Sequence, residues 1–229
     1  ICSEKELGLG KNHKGIMILD SNSQAGTSFN EIVSIEEDIL YDIDLTPNRG
    51  DCLGHIGVAR ELALLDKNNS RIKYYQEEHL KKSDIINGLS INIYDEDKCG
   101  RYTACIVSGV TIKESPEWLR RSLESIGQKS INNVVDAANF ILMDLGHPMH
   151  TFDLDKIKSN QINIRLAKED ETINTLDGFK QKLKSDNLLI CDANNPIAIA
   201  GVIGGNNSGV DKNTKNILIE SAYFKPINI

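Results

Sequence analysis

The chain has 229 residues, of which 40% are hydrophobic and 26% charged, enough length to bury a core and ordinary usage for a folded domain. Its 26 Lys and Arg against 33 Asp and Glu leave a net charge of −7. That balance excludes the overall basic footprint of an autonomous nucleic-acid binder, and no run approaches the roughly 18 consecutive apolar residues of a membrane span.

The opening Ile1-Cys2-Ser3-Glu4-Lys5 has no initiator Met and no targeting signal, and Ile219-Glu220-Ser221-Ala222-Tyr223-Phe224 runs almost to the last residue. The sequence therefore reads as a piece from the middle of something longer. Ile16 to Leu19 and the alternating Ile39, Tyr41, Ile43 and Leu45 predict two strands. Thr46-Pro47-Asn48-Arg49-Gly50 breaks the chain, and Asp51 is placed to cap a helix bearing Leu53, Ile56, Val58, Leu62, Leu64 and Leu65. From Asp66 to Asn87 the residues are mainly Lys, Asn, Glu and Ser, which predicts a solvated connection with one helical turn. The expected organisation is a strand-turn-helix part over 1–68, a connection over 69–88 and a second domain over 89–229.

The second part opens with two strands, Leu89 to Tyr94 and Tyr102 to Val110, spaced to form a hairpin. Two helices follow. Ser115 stands as the N-cap before Pro116 and Glu117, with Trp118, Leu119, Leu123 and Ile126 as the apolar stripe and Gly127 as the stop. From about Ile131, the residues Val134, Val135, Ala138, Ile141, Leu142 and Leu145 recur at helical spacing until Gly146 and Pro148 end the run. Strands return at Ile162 to Ala167, Thr172 to Leu176 with an Asp177-Gly178 turn, Leu188 to Cys191, Ile197 to Ile203 and Ile217 to Ile219. Helices blocked between strands predict an α+β fold: mixed strands around a central pair of helices, with a smaller N-terminal strand-turn-helix part.

Most familiar chemistry is missing. Five scattered cysteines, odd in number and without a Cys-x-x-Cys pair, argue against disulfides and structural zinc and fit a reducing cytoplasm. Asp95-x-Asp97 imitates a calcium loop but has Ile106 where the bidentate Glu belongs. Gly201-Val202-Ile203-Gly204-Gly205 lacks the Lys-Ser/Thr of a phosphate loop and reads as a turn needing positive φ. Cys191, inside an apolar run, reads as an inert buried thiol. His147, His150 and Asp153 recur every third residue, but Pro148 bars the helix that would aim both imidazoles at one metal, so His150 reads as a hydrogen-bonded or surface histidine and no metal is expected. Asn139 lies on an otherwise apolar helix, either facing solvent or buried with partners. Strand alternation alone turns Glu220 toward water.

Five motifs in order are specific together: residues 2–10 (CSEKELGLG), 45–53 (LTPNRGDCL), 131–136 (INNVVD), 146–153 (GHPMHTFD) and 200–205 (AGVIGG). With them the chain resembles, over essentially its whole length, the beta chain of bacterial phenylalanyl-tRNA synthetases. The resemblance implies that 1 to about 68 is the later part of a first, B1-like domain, and that about 89–229 is a B3/B4 editing domain that hydrolyses tyrosine mis-esterified to tRNA(Phe). It implies an alpha2-beta2 assembly with ligation on the alpha chain, the tRNA(Phe) acceptor end and an alpha chain as partners, tyrosine as the edited amino acid, and no membrane. It also implies ATP and Mg2+ for the whole synthetase and no cofactor in this piece. Carried over, His150 and Asn139 are the catalytic positions, with Glu220 the acid that reads the tyrosine hydroxyl, Gly201 supplying a backbone contact and Ala138 lining the pocket. Ala138 departs from a frequent Thr, Lys129 from a frequent Arg and His147 from a usual Gln. The competing expectation is a catalytically silent scaffold that braces subunits or tRNA.

Overall fold

The computed structural model describes residues 2–10, 12–33, 38–65, 71–75 and 88–229, so most of the expected 69–88 connection lies outside the described residues. The contacts divide the chain into two compact units, Ile1–Asp42 and Ile43–Ile229. In the first, the buried Ser3 reaches Glu6 with its amide and its hydroxyl, both at 2.8 Å, and its oxygen lies 3.0 Å from His13 Nδ1. These bonds hold the Glu6 carboxyl below the usual carboxylate range. One short helix, α1 (Phe29–Ile32), completes the unit's regular structure among the described residues. The strands expected at 16–19 and 39–45 do not form. Alternation creates an apolar face but no ladder partner, and Ile18 and Tyr41 stand 86% and 76% exposed.

The second unit begins with a 3-10 turn at Gly50–Cys52 and helix α2 (His55–Leu65). Asp51 is not its cap. Arg49 reaches Asp51 at 2.9 Å and Glu61 at 2.7 Å, clamping the turn to the helix instead.

Ten strands follow among the described residues. β1 (Ser90–Ile93) and β2 (Cys99–Ser108) are the two expected strands, but they do not form a hairpin. The Asp95 carbonyl accepts the amides of Lys98 and Cys99, and this turn carries the chain from one sheet to another. Helix α3 (Glu117–Ser125) buries Leu119 and Leu123. Ser115 leaves its cap unmade because its hydroxyl donates to Asp136. Helix α4 (Asn133–Leu145) starts where the Asn132 side chain accepts the amides of Val134 and Val135, and stops at Gly146 in the left-handed conformation (φ 72°). The two helices meet through an edge contact of Trp118 on Phe140.

Next come β3 (His150–Asp153), which the sequence reading does not anticipate, β4 (Gln161–Leu166), β5 (Thr172–Asn174) and β6 (Lys180–Lys182). β7 (Leu188–Cys191), β8 (Pro196–Ile199), β9 (Ile203–Gly204) and β10 (Asn216–Phe224) complete the set, the expected 197–203 strand being split by a turn. A five-stranded sheet runs β1-β4-β7-β8-β9, with only β1 and β4 parallel. An antiparallel sheet runs β2-β10-β3, and β5-β6 is a hairpin. Phe152 and Leu218 from the three-stranded sheet join Ile162, Ile164, Leu188, Ile190 and Ile197 from the five-stranded sheet in one buried core. A smaller core, with Ile173, Leu183, Leu189 and Cys191, packs the hairpin on the other face. The fold is α+β, as expected.

Candidate functional site

On β10, Leu218, Glu220, Ala222 and Phe224 share one face by the period of two, and Leu218 places that face in the core. Glu220 is therefore buried, 6% exposed, and does not face water. Alternation misleads because Ile217 and Ile219, of opposite parity, are also apolar, so the pattern alone does not say which face turns inward. Register puts Glu220 across from His150 of β3 on one side and Ala104 of β2 on the other. Tyr102, paired with Ala222, is the diagonal neighbour of Glu220 on the same inner face.

His150 and Glu220 border a pocket of about 170 Å³, lined also by Gly201 and by apolar side chains such as Met149, Ile190, Ile199 and Phe224. For scale, an apolar cavity of about 150 Å³ accommodates benzene, so this pocket is of a size to take one aromatic ring. His150 Nε2, Glu220 Oε2 and the Tyr102 hydroxyl are buried and find no hydrogen-bond partner among the described residues. Burial pushes the Glu220 carboxyl up to about 8, with the nearby Tyr102 phenol pulling it down. At neutral pH that favours the protonated carboxyl. Burial lowers His150 to about 4, so its imidazole is neutral. Its ring meets Phe152 edge-on with centroids 4.5 Å apart. Burial, then the Glu220 charge, pushes the Tyr102 phenol far above its ordinary value.

The backbone is shaped to this cluster. A Cβ at Gly204 would lie 2.6 Å from His150 Cε1, so only glycine lets the imidazole rest against β9. Gly201 sits at φ +70°, the positive-φ turn expected there, with its missing Cβ filled by Ile229. Asn139 and Ala138 are half-buried on α4 and are not among the side chains lining the pocket. His147 belongs to the other face, with Nε2 2.9 Å from the hydroxyl of Ser221, so the two histidines do not converge. Cys191 is buried and its thiol pushed up to about 12, as an inert thiol should be.

Two further candidates hold no buried side-chain atom without a partner among the described residues. Asp51, Cys52 and Glu61 bring ligand-type atoms within 4.8 Å of one another, but the Arg49 guanidinium bonds all three and supplies the positive charge a metal would bring. A larger groove of about 850 Å³ lies between α2, residues 71–75 and α4. There His55 Nδ1 is 2.9 Å from the Met143 carbonyl and the Tyr75 hydroxyl donates to Asp144 at 2.6 Å. The sequence reading misses Tyr102 and Gly204. Tyr102's signal is its parity with Ala104 and Ile106, which acquires meaning only once β2 is paired in register with β10.

A family model described as B3/4 domain matches residues 98–229. The chain is 44% identical over 230 residues to the phenylalanine–tRNA ligase beta subunit of Fusobacterium nucleatum, covering 100% of this chain and 28% of that protein. It is 42% identical over 230 residues to the subunit of the same name from Protochlamydia amoebophila, covering 99% and 28%. A crystal structure of an N-terminal fragment of the phenylalanyl-tRNA synthetase beta subunit from Pyrococcus horikoshii aligns with TM-score 0.47 and 22% identity over 80% of this chain and 55% of that one. The chain spans 28% of the length of these two curated relatives.

Proposed function

The chain belongs to the B3/4 domain family, and from that premise we propose that it is the editing part of a phenylalanyl-tRNA synthetase beta subunit, hydrolysing tyrosine wrongly esterified to tRNA(Phe). The observation that carries this reading is the buried, unpartnered Oε2 of Glu220 in a pocket of aromatic-ring size. Phenylalanine and tyrosine differ by one hydroxyl. A site built to pair a buried polar group rejects the analogue lacking it by roughly 10⁴ to 10⁵ where the pairing is complete. Tyrosine's phenol donates to Glu220 and relieves the orphan, whereas phenylalanine leaves it desolvated, so correct product is spared.

An aminoacyl ester is already activated, so the chain need only position the ester and water. The neutral His150, a pocket-lining residue whose Nε2 has no partner among the described residues, orients the water or terminal ribose and is too weak a base to be an obligatory proton acceptor. The backbone at Gly201 contacts the substrate. Asn139 and Ala138, away from the pocket walls, serve the ester end, so Asn139→Ala is expected to slow hydrolysis without changing tyrosine affinity. The alpha chain carries ligation with ATP and Mg2+ in an alpha2-beta2 assembly in the cytoplasm, and this chain meets the tRNA acceptor end. The division into a B1-like part over 1–68, a connection over 69–88 and an editing domain over 89–229 is part of the same proposal.

The test is hydrolysis of tyrosine-charged and phenylalanine-charged tRNA(Phe) by the assembled synthetase. Faster loss of tyrosine, abolished by Glu220→Ala, is expected. Equal and slow loss of both, unchanged by the substitution, would replace this reading with the silent scaffold.

A further inference from the structure

Behind Glu220 lies a second orphan that the hydroxyl-reading role does not use. Tyr102 is 8% exposed on β2 and does not line the pocket; its buried hydroxyl lies near enough to the Glu220 carboxyl to pull it down, yet the two do not meet in hydrogen-bond geometry and neither the hydroxyl nor Oε2 has another partner among the described residues. It is the diagonal neighbour of Glu220 across the β2-β10 ladder, on the same inner face, and close enough to act on the carboxyl. A buried tyrosine hydroxyl normally has a partner, and leaving one unmade costs about 1–3 kcal/mol. The other chemistry around it is apolar: Ala104, Ile106, Ala222 and Phe224 flank the same core.

We infer that Tyr102 is the positioning residue for Glu220: when a hydroxyl-bearing ring enters the pocket, the Tyr102 phenol donates to the carboxyl from behind while Oε2 accepts the ligand's hydroxyl from in front. Two orphans become one chain of hydrogen bonds, ligand to Glu220 to Tyr102, in which each bond polarises the next. Tyr102 touches no substrate and acts through Glu220, favouring its ionised form and fixing its rotamer. The inference deepens the editing proposal and rests on it.

The titratable groups facing Glu220 can be separated. From β2 they are Tyr102, pushed far above its ordinary range, and Cys99, whose buried thiol is also raised. From β3 it is His150, at about 4. The opposing sheet presents uncharged Ile190, Ala198 and Ile199. Glu220, at about 8, is the group that titrates between pH 6 and 8.5.

The experiment measures the affinity of the full 229-residue chain for free L-tyrosine and L-phenylalanine from pH 6 to 9, for the native chain, Tyr102→Phe, Glu220→Gln and the double variant. The native chain is expected to prefer tyrosine, with affinity rising through a midpoint near 8. Tyr102→Phe should weaken tyrosine about tenfold, leave phenylalanine unchanged and move the midpoint to higher pH. In the Glu220→Gln background the same substitution should add nothing. A structural role for Tyr102 would weaken both amino acids equally and leave the midpoint in place. Native preference for tyrosine with Tyr102→Phe indistinguishable from it overturns the positioning role and leaves the editing reading standing. No native preference overturns both.

Discussion

Asp136, Asp153, Asp192 and Glu220 are buried in this unit, and the first and last of them are opposites. Asp136, fully buried at the start of α4, accepts the hydroxyls of Ser115 and Ser130 and the amide of Ile131. Burial works to raise it, yet those bonds outweigh burial and hold it below the usual range. Glu220 is buried to a similar degree but leaves Oε2 unpartnered, and burial wins, lifting it to about 8. Burial alone does not distinguish a structural acid from a binding one. The count of donors already committed does: Asp136 ties a knot between the 115–116 approach to α3, the 130–132 turn and α4, whereas Glu220 keeps an oxygen uncommitted.

The sharpest way to break this contrast is Asp136→Ala. It strands two hydroxyls and an amide, and is expected to lower unfolding free energy by about 3 kcal/mol in urea titrations. A loss below about 1 kcal/mol would mean the knot is not structural. The acid side should show it too. Because the folded pKa is depressed, the stability from Asp136 is present above the unfolded value and lost as pH falls through the folded one, and Asp136→Asn should lack that loss.

Glu220→Gln should do the reverse. A folded pKa of about 8 against an ordinary 4.5 means the folded state holds the extra proton between those values, so stability falls as pH rises from 4.5 to 8. The variant is expected to flatten that slope and to be more stable than the native chain at pH 8.5 by about 2 kcal/mol, while lacking the proposed preference for tyrosine. If both chains show the same slope, Glu220 is not the orphan described. Next in size, Gly204→Ala forces the His150 imidazole off β9 and is expected to cost about 1–2 kcal/mol, with Gly205→Ala no substitute because it meets the Ile197 backbone rather than the ring. The smallest effect is chemical rather than energetic: under native conditions a thiol reagent should label the exposed Cys2 and Cys105, with Cys52, Cys99 and Cys191 reacting only on unfolding. Prompt labelling of Cys191 would show that the core around β7 opens.

Much of the fold is legible in local pattern. The α4 boundaries follow from Asn132 and Gly146, the core strands β4 and β7 from short apolar runs, and Gly201 from its turn, because capping, burial and positive φ act within a few residues. The elements misread are those whose fate depends on distant partners. Ile39 to Leu45 alternate like a strand yet find no ladder; β1 and β2 are adjacent in sequence yet enter different sheets; Ser115 is a natural cap yet is drawn to Asp136 twenty-one residues away.

The same division holds at the site. By itself the sequence determined the residue types present, the absence of a nucleophile motif or zinc framework, and the family resemblance through five ordered motifs. Only the tertiary structure decided that Glu220 turns inward, that His150 stands across from it, that Tyr102 lies behind it and that Asn139 stays off the pocket wall. The reason is physical. Which parity of β10 is buried, and which polar atoms are left without partners, depend on the pairing of β2, β10 and β3 and on the sheet packed across them, and long-range pairing is not encoded in the alternation of any one strand.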